Sequence, residues 1–300
     1  MNIKTGACSI ILGSGHYGGF IDARKNKLFK ITKLIQNHNE TKHLEEIRSI
    51  SDYRDYFAIP DETRYSFNPG EPFYEYLRDL TRRMDMTIFY GQLQGFYIDY
   101  AGENDLFDII NSPYTMNNLY KLNRDTKVLD FARQIMTGLS FLHGRKICHL
   151  DIKPENIMVM HDIGGQLKFK IIDFGFASKE PFDDFANDTR GTPTYFPKNI
   201  DNIDEPGLPL IRANDMIEEA NGKLPFNNDR TLIYKIDSYA FGRVLGLLWF
   251  HVKTLKRSSY CFRKCRFPLK GKIENMINLL TENDCRKRLT ITHLLNLLFV

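Results

Sequence analysis

The sequence predicts an α+β fold, in which a small β-rich N-terminal part precedes a larger α-rich C-terminal part. Before residue 102, apolar residues alternate with polar ones in several short segments, which is typical of strands. After it, longer segments carry apolar residues at helical spacing. The length of 300 residues corresponds to two domains or to one unit with two lobes, because a domain commonly has about 150 residues.

The composition, 42% hydrophobic and 26% charged residues, is that of a globular protein and excludes a disordered chain, a collagen and a coiled coil. The longest apolar run, 240–252, is interrupted and shorter than the roughly 20 residues that cross a bilayer, so we expect no membrane span. A net charge of +4 is too small to indicate a nucleic-acid partner, and nothing indicates an oligomeric state. The N-terminus is a poor secretion signal, so we expect an intracellular protein, cytoplasmic or nuclear, whose five cysteines are free thiols.

The N-terminal part contains most of the predicted strands. A segment of some 30 residues, rich in Arg, Tyr and Pro, interrupts it and is predicted to be an inserted surface helix and loop at about 61–92. The predicted strands are 3–12, 20–24, 27–31, 55–60 and 93–100, and the predicted helix is 38–50.

The C-terminal part is predicted to be mainly helical. An irregular stretch, 174–230, carries most of the prolines and includes a second insert at about 199–230. The predicted helices are 126–143, 231–252 and the segment 273–300 with its Arg-rich turn, and the predicted strands are 157–160 and 167–172.

Gly13, Gly15 and Gly18 form a GxGxxG pattern near the N-terminus. A dinucleotide-binding fold would require a helix directly after the glycines, whereas FIDAR and KLFKI alternate like strands. A Gly-rich hairpin can place its backbone N–H groups over phosphates. The pattern alone is also compatible with a plain hairpin turn.

The segment HLDIKPEN, 149–156, combines three side chains that can act on one reaction centre. The carboxylate of Asp151 can accept a hydroxyl proton, the ammonium of Lys153 can neutralise a phosphoryl oxygen, and the amide of Asn156 can hold a metal. Asp173 follows an apolar strand and precedes Phe174 and Gly175, a context that suits Mg²⁺ coordination.

Eight segments in order now resemble the motifs of eukaryotic-type serine/threonine protein kinases. They are ILGSGHYGGF, LFKI, FYIDYAGENDLFDII, HLDIKPEN, DFG, GTPTYFP, KIDSYAFG and NDCRKRLT. The resemblance implies a bilobal kinase fold, with an N-lobe at 1–98 and a C-lobe at 99–300 that together make one kinase domain. The chain is similar to compact, divergent kinases of large DNA viruses, which would place it in the host cell cytoplasm or the virion.

The resemblance also implies roles for residues of the C-lobe. Asp151 would be the base for the incoming hydroxyl, and Lys153 would stabilise the γ-phosphoryl group. Asn156 and Asp173 would hold Mg²⁺, and Thr192 would brace Asp151 and Lys153. Asp237 would anchor the backbone near His149.

The nucleotide would be bound by a second set of residues. Lys30 would orient ATP, Ile98 would be the gatekeeper, and Asp99 and Ala101 would offer backbone groups to adenine. Asp105 would reach the ribose hydroxyls. The Gly-rich loop would contribute Leu12, Gly13, Ser14, Gly15 and Gly18.

The acidic partner of Lys30 has two candidates. Glu40 has Leu44 and Ile47 on the same side of the predicted helix and fits the distance to the next strand better, although it lies only ten residues after Lys30. Glu46 lies in the middle of the helix. We favour Glu40.

The sequence departs from the kinase pattern at two positions. Leu150 replaces an Arg that most members have beside the catalytic Asp, so we expect activity without phosphorylation of the activation segment. Lys198 replaces a Glu that normally pairs with an Arg, here Arg288. That pair would be like-charged unless Asp201, Asp204 or Glu205 substitutes.

The expected function is transfer of the γ-phosphoryl group of ATP to Ser and Thr hydroxyls of protein substrates, with Mg²⁺, or Mn²⁺ as an alternative. Three rival interpretations remain: a nucleotide-binding scaffold without activity, a small-molecule kinase on a related fold, and an interaction protein that acts through the insert 199–230. The first is disfavoured because Lys30, Asp151, Asn156 and Asp173 are all present, and the second because GxGxxG and GTPTY are complete.

Overall fold

The computed structural model describes residues 8–11, 18–22, 27–33, 43–83, 93–102, 104–111, 125–162, 164–179, 192–195, 231, 233–258, 270–284 and 286–299. Over these residues, the strands are β1 (Cys8–Ile11), β2 (Gly18–Asp22), β3 (Lys27–Lys33), β4 (Tyr65–Phe67), β5 (Leu93–Asp99), β6 (Asn104–Asp105), β7 (Ile147–Cys148), β8 (Ile157–His161), β9 (Leu167–Ile171) and β10 (Ser178–Lys179). The α-helices are α1 (Leu44–Arg48), α2 (Tyr53–Tyr56), α3 (Pro72–Arg83), α4 (Leu106–Asn111), α5 (Asp125–Gly144), α6 (Tyr234–Ser258), α7 (Lys270–Leu280) and α8 (Ile291–Phe299).

The chain divides into two compact units. The first unit comprises Met1–Leu44, Ala58–Ala101 and Asp173–Gly175, and the second comprises Glu45–Phe57, Gly102–Ile172 and Phe176–Val300. The lobe boundary between residues 98 and 99 stays a prediction. Among the described residues, no helix has the length and apolar character needed to cross a bilayer.

A five-stranded antiparallel sheet forms the first unit, in the order β1-β2-β3-β5-β4. The strands predicted at 20–24, 27–31 and 93–100 correspond to β2, β3 and β5. In the central pair, Lys30 lies opposite Phe96 and Lys27 lies opposite Asp99. This register places the end of β5 beside the beginning of β3.

Aromatic rings fill the core of the first unit. Phe29 contacts Tyr97 at 4.8 Å and Tyr65 at 5.5 Å between ring centroids, in edge-to-face geometry. A Cβ at Gly95 would lie 2.4 Å from Cζ of Phe29. Glycine at position 95 is therefore what allows the ring to lie against the strand.

The strand predicted at 55–60 is wrong. Residues Tyr53–Tyr56 form α2, and the apolar residues that follow are buried in irregular backbone with two isolated bridges, Phe57 to Ile171 and Pro60 to Ile98. Burial of an apolar run does not require a strand. Pro60 has no N–H group with which to continue a ladder.

The segment 61–92 was predicted to be an inserted surface helix and loop, and the structure corrects part of this. The helix is present as α3, but Tyr65–Phe67 is the fifth strand of the sheet, paired with β5. Phe67 and Tyr74 are buried in the same cluster as Phe29, so this part of the segment belongs to the core. Residues 84–92 lie outside the described residues.

Helix α5 is central to the second unit. Most of its apolar residues recur three and four positions apart and are buried, as the sequence predicts for 126–143. Phe131 contacts Phe169 of β9 at 4.9 Å and Phe241 of α6 at 5.8 Å between ring centroids. A three-stranded sheet of order β6-β8-β9 lies against it, and β7 pairs with β10.

Two glycines of α6 give a test of packing in the second unit. A Cβ at Gly242 would lie 2.7 Å from Cβ of Leu280 and 2.7 Å from Cγ2 of Thr281, whereas one at Gly246 would lie 3.6 Å from Cγ2 of Ile277. We expect Gly242→Ala to lower the free energy of unfolding by about 1–3 kcal/mol through overpacking. Gly246→Ala, the matched control, should leave it unchanged or raise it by up to about 1 kcal/mol through helix propensity. Urea denaturation measures both, and equal effects would contradict the close approach of α6 and α7.

Candidate functional site

The segment 149–156, here called the catalytic loop, lies between β7 and β8 in the second unit. Lys153 is extended, and Pro154 then starts a short 3₁₀-helix that ends at Asn156. Proline suits this first helical position because its missing N–H group would have no partner there. The turn brings the side chain of Asn156 back toward Asp151.

The structure brings together three of the predicted catalytic residues around the buried carboxylate of Asp151, which is the fourth. Thr192 donates its hydroxyl to Oδ1 at 2.7 Å, Asn156 donates Nδ2 to Oδ2 at 2.9 Å, and Nζ of Lys153 lies 2.8 Å from Oδ2. Lys153 also donates to Oγ1 of Thr192 at 3.1 Å. The carboxylate is thereby fixed by two donors from the second half of the loop, Lys153 and Asn156, and by Thr192.

Asp237 anchors the backbone at the start of the catalytic loop. It is fully buried, and it accepts hydrogen bonds from the amides of His149 at 2.9 Å and Leu150 at 2.8 Å. Burial acts to raise its pKa, but the hydrogen bond and charge of His143, together with those of His149, lower the pKa below its ordinary value. The anchor is therefore ionised at neutral pH.

His143 is a residue that the sequence interpretation missed. Its Nε2 atom lies 2.9 Å from Oδ2 of Asp237, and its ring is buried at the end of α5. Because Asp237 is ionised and has only acceptors, Nε2 of His143 is the protonated nitrogen. The sequence signal that could have identified it is a histidine on the apolar face of an amphipathic helix that leads into the loop.

Leu150 occupies the position where the resemblance implies an Arg. Its side chain is 2% exposed and its φ is 63°, in the left-handed region that non-glycine residues seldom adopt. The hydrogen bonds that the amides of His149 and Leu150 donate to Asp237 hold this conformation. Residues 180–191 of the activation segment lie outside the described residues, so activity without phosphorylation stays a prediction.

The far end of the catalytic loop is tied to the strand that precedes Asp173. Ile172 donates its N–H to the carbonyl of Asn156 at 3.0 Å, and its own carbonyl lies 3.0 Å from Nε2 of His149. Asp173 itself belongs to the first unit, has φ 62°, and accepts a bond from the N–H of Gly175 at 3.3 Å.

Oxygen donors suited to Mg²⁺ are present. Asn156 uses Nδ2 for two bonds to Asp151, so its oxygen Oδ1 stays out of those bonds, and Asp173 offers a carboxylate. Mg²⁺ prefers such oxygen ligands. Each of the two residues therefore has the oxygen donor that the predicted metal requires.

The predicted nucleotide-binding residues that are described fall mainly in the first unit. Gly18 starts β2, Lys30 lies in β3, Ile98 and Asp99 end β5, and Ala101 follows. Ile98 and Ala101 are buried. Leu12, Gly13, Ser14 and Gly15 lie outside the described residues, and their roles stay predictions.

The partner of Lys30 stays a prediction. Glu40, the favoured candidate, lies outside the described residues, and Glu46 forms an ion pair of 2.5 Å with Lys179 in the second unit. Lys179 lies in β10, shortly after the predicted metal-binding segment 173–175, so Glu46 of α1 contacts the start of the predicted activation segment.

Arg288 is buried at 2% exposure. Its guanidinium donates to three backbone carbonyl oxygens, those of Glu282 at 2.8 Å, Lys235 at 3.2 Å and Asn283 at 3.4 Å. Lys198 and the acidic residues proposed to substitute for the missing Glu lie outside the described residues, so that substitution stays a prediction.

Asp105 is the N-cap of α4, and its Oδ1 accepts the N–H of Asp108 at 2.7 Å. Burial raises the pKa of Asp105 to about 6, the hydrogen bond from Asp108 opposes the rise, and the charges of Asp108 and Glu155 add to it. A carboxylate predicted to bind ribose hydroxyls thus carries a charge that the fold disfavours.

Comparisons with known proteins support the kinase interpretation. Residues 86–207 match the protein kinase domain family, a segment that contains Asp151, Lys153, Asn156, Asp173 and Thr192. The chain is 36% identical over 121 residues to a probable serine/threonine-protein kinase of Dictyostelium discoideum, covering 38% of this chain and 14% of the relative. It is 34% identical over 113 residues to myosin light chain kinase 3 of Danio rerio, covering 37% and 14%. It is 33% identical over 110 residues to myosin light chain kinase 2 of Rattus norvegicus, covering 36% and 17%.

These matches cover less than a fifth of the length of the curated relatives. Together with the mixture of helices and sheets, they confirm the predicted fold class, an α+β protein kinase-like fold.

The raised pKa of Asp105 predicts a pH-dependent effect of Asp105→Asn. The folded chain binds this proton more tightly than the unfolded chain, so the contribution of Asp105 to stability falls as pH rises from about 4 to about 6. Asparagine keeps the cap and removes the charge. We expect Asp105→Asn to stabilise the protein more at pH 7.5 than at pH 4.5, as measured by urea denaturation.

Asp105→Ala is the control for the cap, and it should lower the free energy of unfolding by about 0.5–2 kcal/mol relative to the Asn variant at both pH values. An Asn effect of equal size at pH 4.5 and 7.5 would contradict the raised pKa.

Proposed function

We propose that this chain is a serine/threonine protein kinase, which transfers the γ-phosphoryl group of ATP to Ser and Thr hydroxyls of proteins. The observation that carries the proposal is the convergence of Lys153, Asn156 and Thr192 on the buried carboxylate of Asp151. The match of residues 86–207 to the protein kinase domain family, and the names of the relatives, support it.

The hydrogen bonds indicate which atom accepts the proton. Oδ2 of Asp151 is occupied by Asn156 and Lys153, whereas Oδ1 accepts one bond from the part of the chain that the structure describes, that of Thr192. A carboxylate oxygen has two lone pairs. Oδ1 therefore retains one lone pair for the hydroxyl of the substrate, and its position is set by Thr192.

In the proposed reaction, the substrate hydroxyl oxygen attacks the γ-phosphorus while its proton passes to Oδ1 of Asp151. The bond from the γ-phosphorus to the bridging oxygen breaks, and ADP leaves with that electron pair. Lys153 lies beside the same carboxylate and can neutralise charge on the transferred group. Mg²⁺, when bound by Asn156 and Asp173, would offset the charge of the phosphates.

The remaining residues keep the roles given by the resemblance. Lys30 would orient the phosphates of ATP, Asp99 and Ala101 would bind adenine through their backbone, and Asp105 would bind ribose. The insert 199–230, which lies outside the described residues, would be a surface element for a protein substrate or partner.

Asp151→Asn tests the proton acceptor. The amide keeps the shape but removes the base, so we expect nucleotide binding to persist and phosphoryl transfer to fall by about 10²–10⁴-fold. Transfer of radiolabelled phosphate to a peptide library, with Mg²⁺ or Mn²⁺, measures the loss. Asp130→Asn on the surface of α5 is the matched control, and near-wild-type transfer by Asp151→Asn would remove Asp151 from this role.

Lys30→Met tests the strand register. A neutral side chain cannot offset phosphate charge, so we expect transfer to fall by about 10- to 100-fold, the worth of one hydrogen bond to a charged group. Positions 30 and 33 of β3 are three apart and lie on opposite faces of the sheet. Lys33→Met is therefore the control; a crippled Lys33→Met protein beside an active Lys30→Met protein would show that the assignment is wrong.

A further inference from the structure

Three charged residues meet at the end of β5, in the first unit. Lys27, the first residue of β3, lies opposite Asp99, the last residue of β5. Its Nζ atom lies 2.8 and 2.7 Å from the two carboxylate oxygens of Asp61 and 3.5 Å from Oδ1 of Asp99. Lys27 thus links a residue of the sheet to the segment that follows Pro60.

Asp61 is itself fixed to the outer edge of β5. Its N–H donates to the carbonyl of Tyr97 at 2.6 Å, and the preceding Pro60 forms a bridge with Ile98. Nη1 of Arg64 donates to the carbonyl of Asp61. Residues 60 and 61 therefore continue the edge that β4 covers at residues 93–95.

The end of β5 is consequently held from both sides. On one side β3 pairs with it as far as Asp99, and on the other side Asp61 bonds to Tyr97. Lys27 connects the two sides because its ammonium group binds the carboxylates of Asp61 and Asp99. The backbone of residues 97–99 cannot shift along or away from the sheet without breaking one of these contacts.

The three side chains are partly exposed, at 25% for Lys27, 36% for Asp61 and 24% for Asp99. Burial acts to lower the pKa of Lys27, but the hydrogen bond and charge of Asp61 and the charge of Asp99 raise it above its ordinary value. Ion pairs this exposed contribute little to the free energy of unfolding. Their effect is local, on where the end of β5 lies.

We propose that Lys27 and Asp61 are positioning residues for the adenine end of the nucleotide, because they fix the backbone at Asp99. The inference rests on the proposed function, which assigns adenine binding to Asp99 and Ala101. Neither Lys27 nor Asp61 touches the nucleotide in this account. They act through the strand end, and their loss weakens nucleotide binding without changing phosphoryl transfer itself.

The experiment compares Lys27→Met, Asp61→Asn and the double variant in the full chain. We expect each to raise KM for ATP by about 2- to 5-fold, the range that a partly exposed ion pair can supply. The kcat and the KM for the peptide should change by less than that. The double variant should resemble the single variants, because both remove the same link. Lys27→Arg should restore most of the affinity.

A neutral ligand separates positioning from simple charge. Lys27 could also attract the phosphates of ATP through space, whereas adenosine carries no charge. We expect the Kd for adenosine, measured by calorimetric titration, to rise by the same factor as KM for ATP in Lys27→Met. Arg133→Gln, which breaks the Asp130–Arg133 surface ion pair of the second unit, is the matched control and should change neither value.

An unchanged Kd for adenosine in both single variants would overturn the inference, and so would an equal rise in Arg133→Gln. A parallel fall of kcat and of the free energy of unfolding would assign the group to folding and overturn it as well. If Lys27→Met does not fold, Asp61→Asn decides by the same criteria. A wild-type chain that binds neither ATP nor adenosine overturns the proposed function, whereas an active wild type with unaffected variants overturns this inference alone.

Discussion

The buried carboxylate of Asp237 is the constraint on which the catalytic loop depends. An ion at a site without solvent is costly unless hydrogen bonds compensate it, and here two backbone amides and His143 do so. The amides of His149 and Leu150, which follow β7, both donate to this carboxylate. The bonds that compensate the burial of Asp237 therefore also fix the backbone at the start of the loop. Asp151 is the next residue after these two amides.

Further hydrogen bonds connect the start of the loop, which Asp237 holds, to the rest of the loop. His149 contacts the carbonyl of Ile172, the N–H of Ile172 bonds to Asn156, and Asn156 returns to Asp151. This closed ring of hydrogen bonds ties the strand before Asp173 to both ends of the loop. His149, Asp151 and Asn156 are buried and Ile172 is partly buried, so a broken bond leaves a polar group with little access to water. The ring is therefore expected to hold or fail as a unit.

The sequence was informative where the signal is local. The alternation in β3 and β5 and the helical spacing in α5 were enough to predict those elements, and Asp151, Lys153 and Asn156 lie within six residues of one another. It misled at 55–60, because an apolar run that ends in proline is buried without forming a strand. It also placed Tyr65–Phe67 in a surface insert, because a strand of three residues is too short to show the alternation of apolar and polar residues that identifies strands.

Contacts between distant parts of the chain escaped prediction. His143 and Asp237 are separated by 94 residues, and Lys27 and Asp61 by 34. Nothing in the spacing of such residues reveals that they meet, because their proximity results from tertiary packing. Thr192, 41 residues from Asp151, could be predicted only through the resemblance to a family.

The left-handed backbone conformation at Leu150 limits the residue types that this position can accommodate. Branching at Cβ conflicts with a positive φ, which disfavours valine, isoleucine and threonine. Glycine would relieve the strain but give up a buried side chain, and a short polar residue would need a hydrogen-bond partner in an apolar setting. An apolar residue that is not branched at Cβ, such as leucine, satisfies both demands. Two independent constraints therefore act on this position, one on the backbone and one on the side chain, although Leu150 itself has no part in the proposed chemistry.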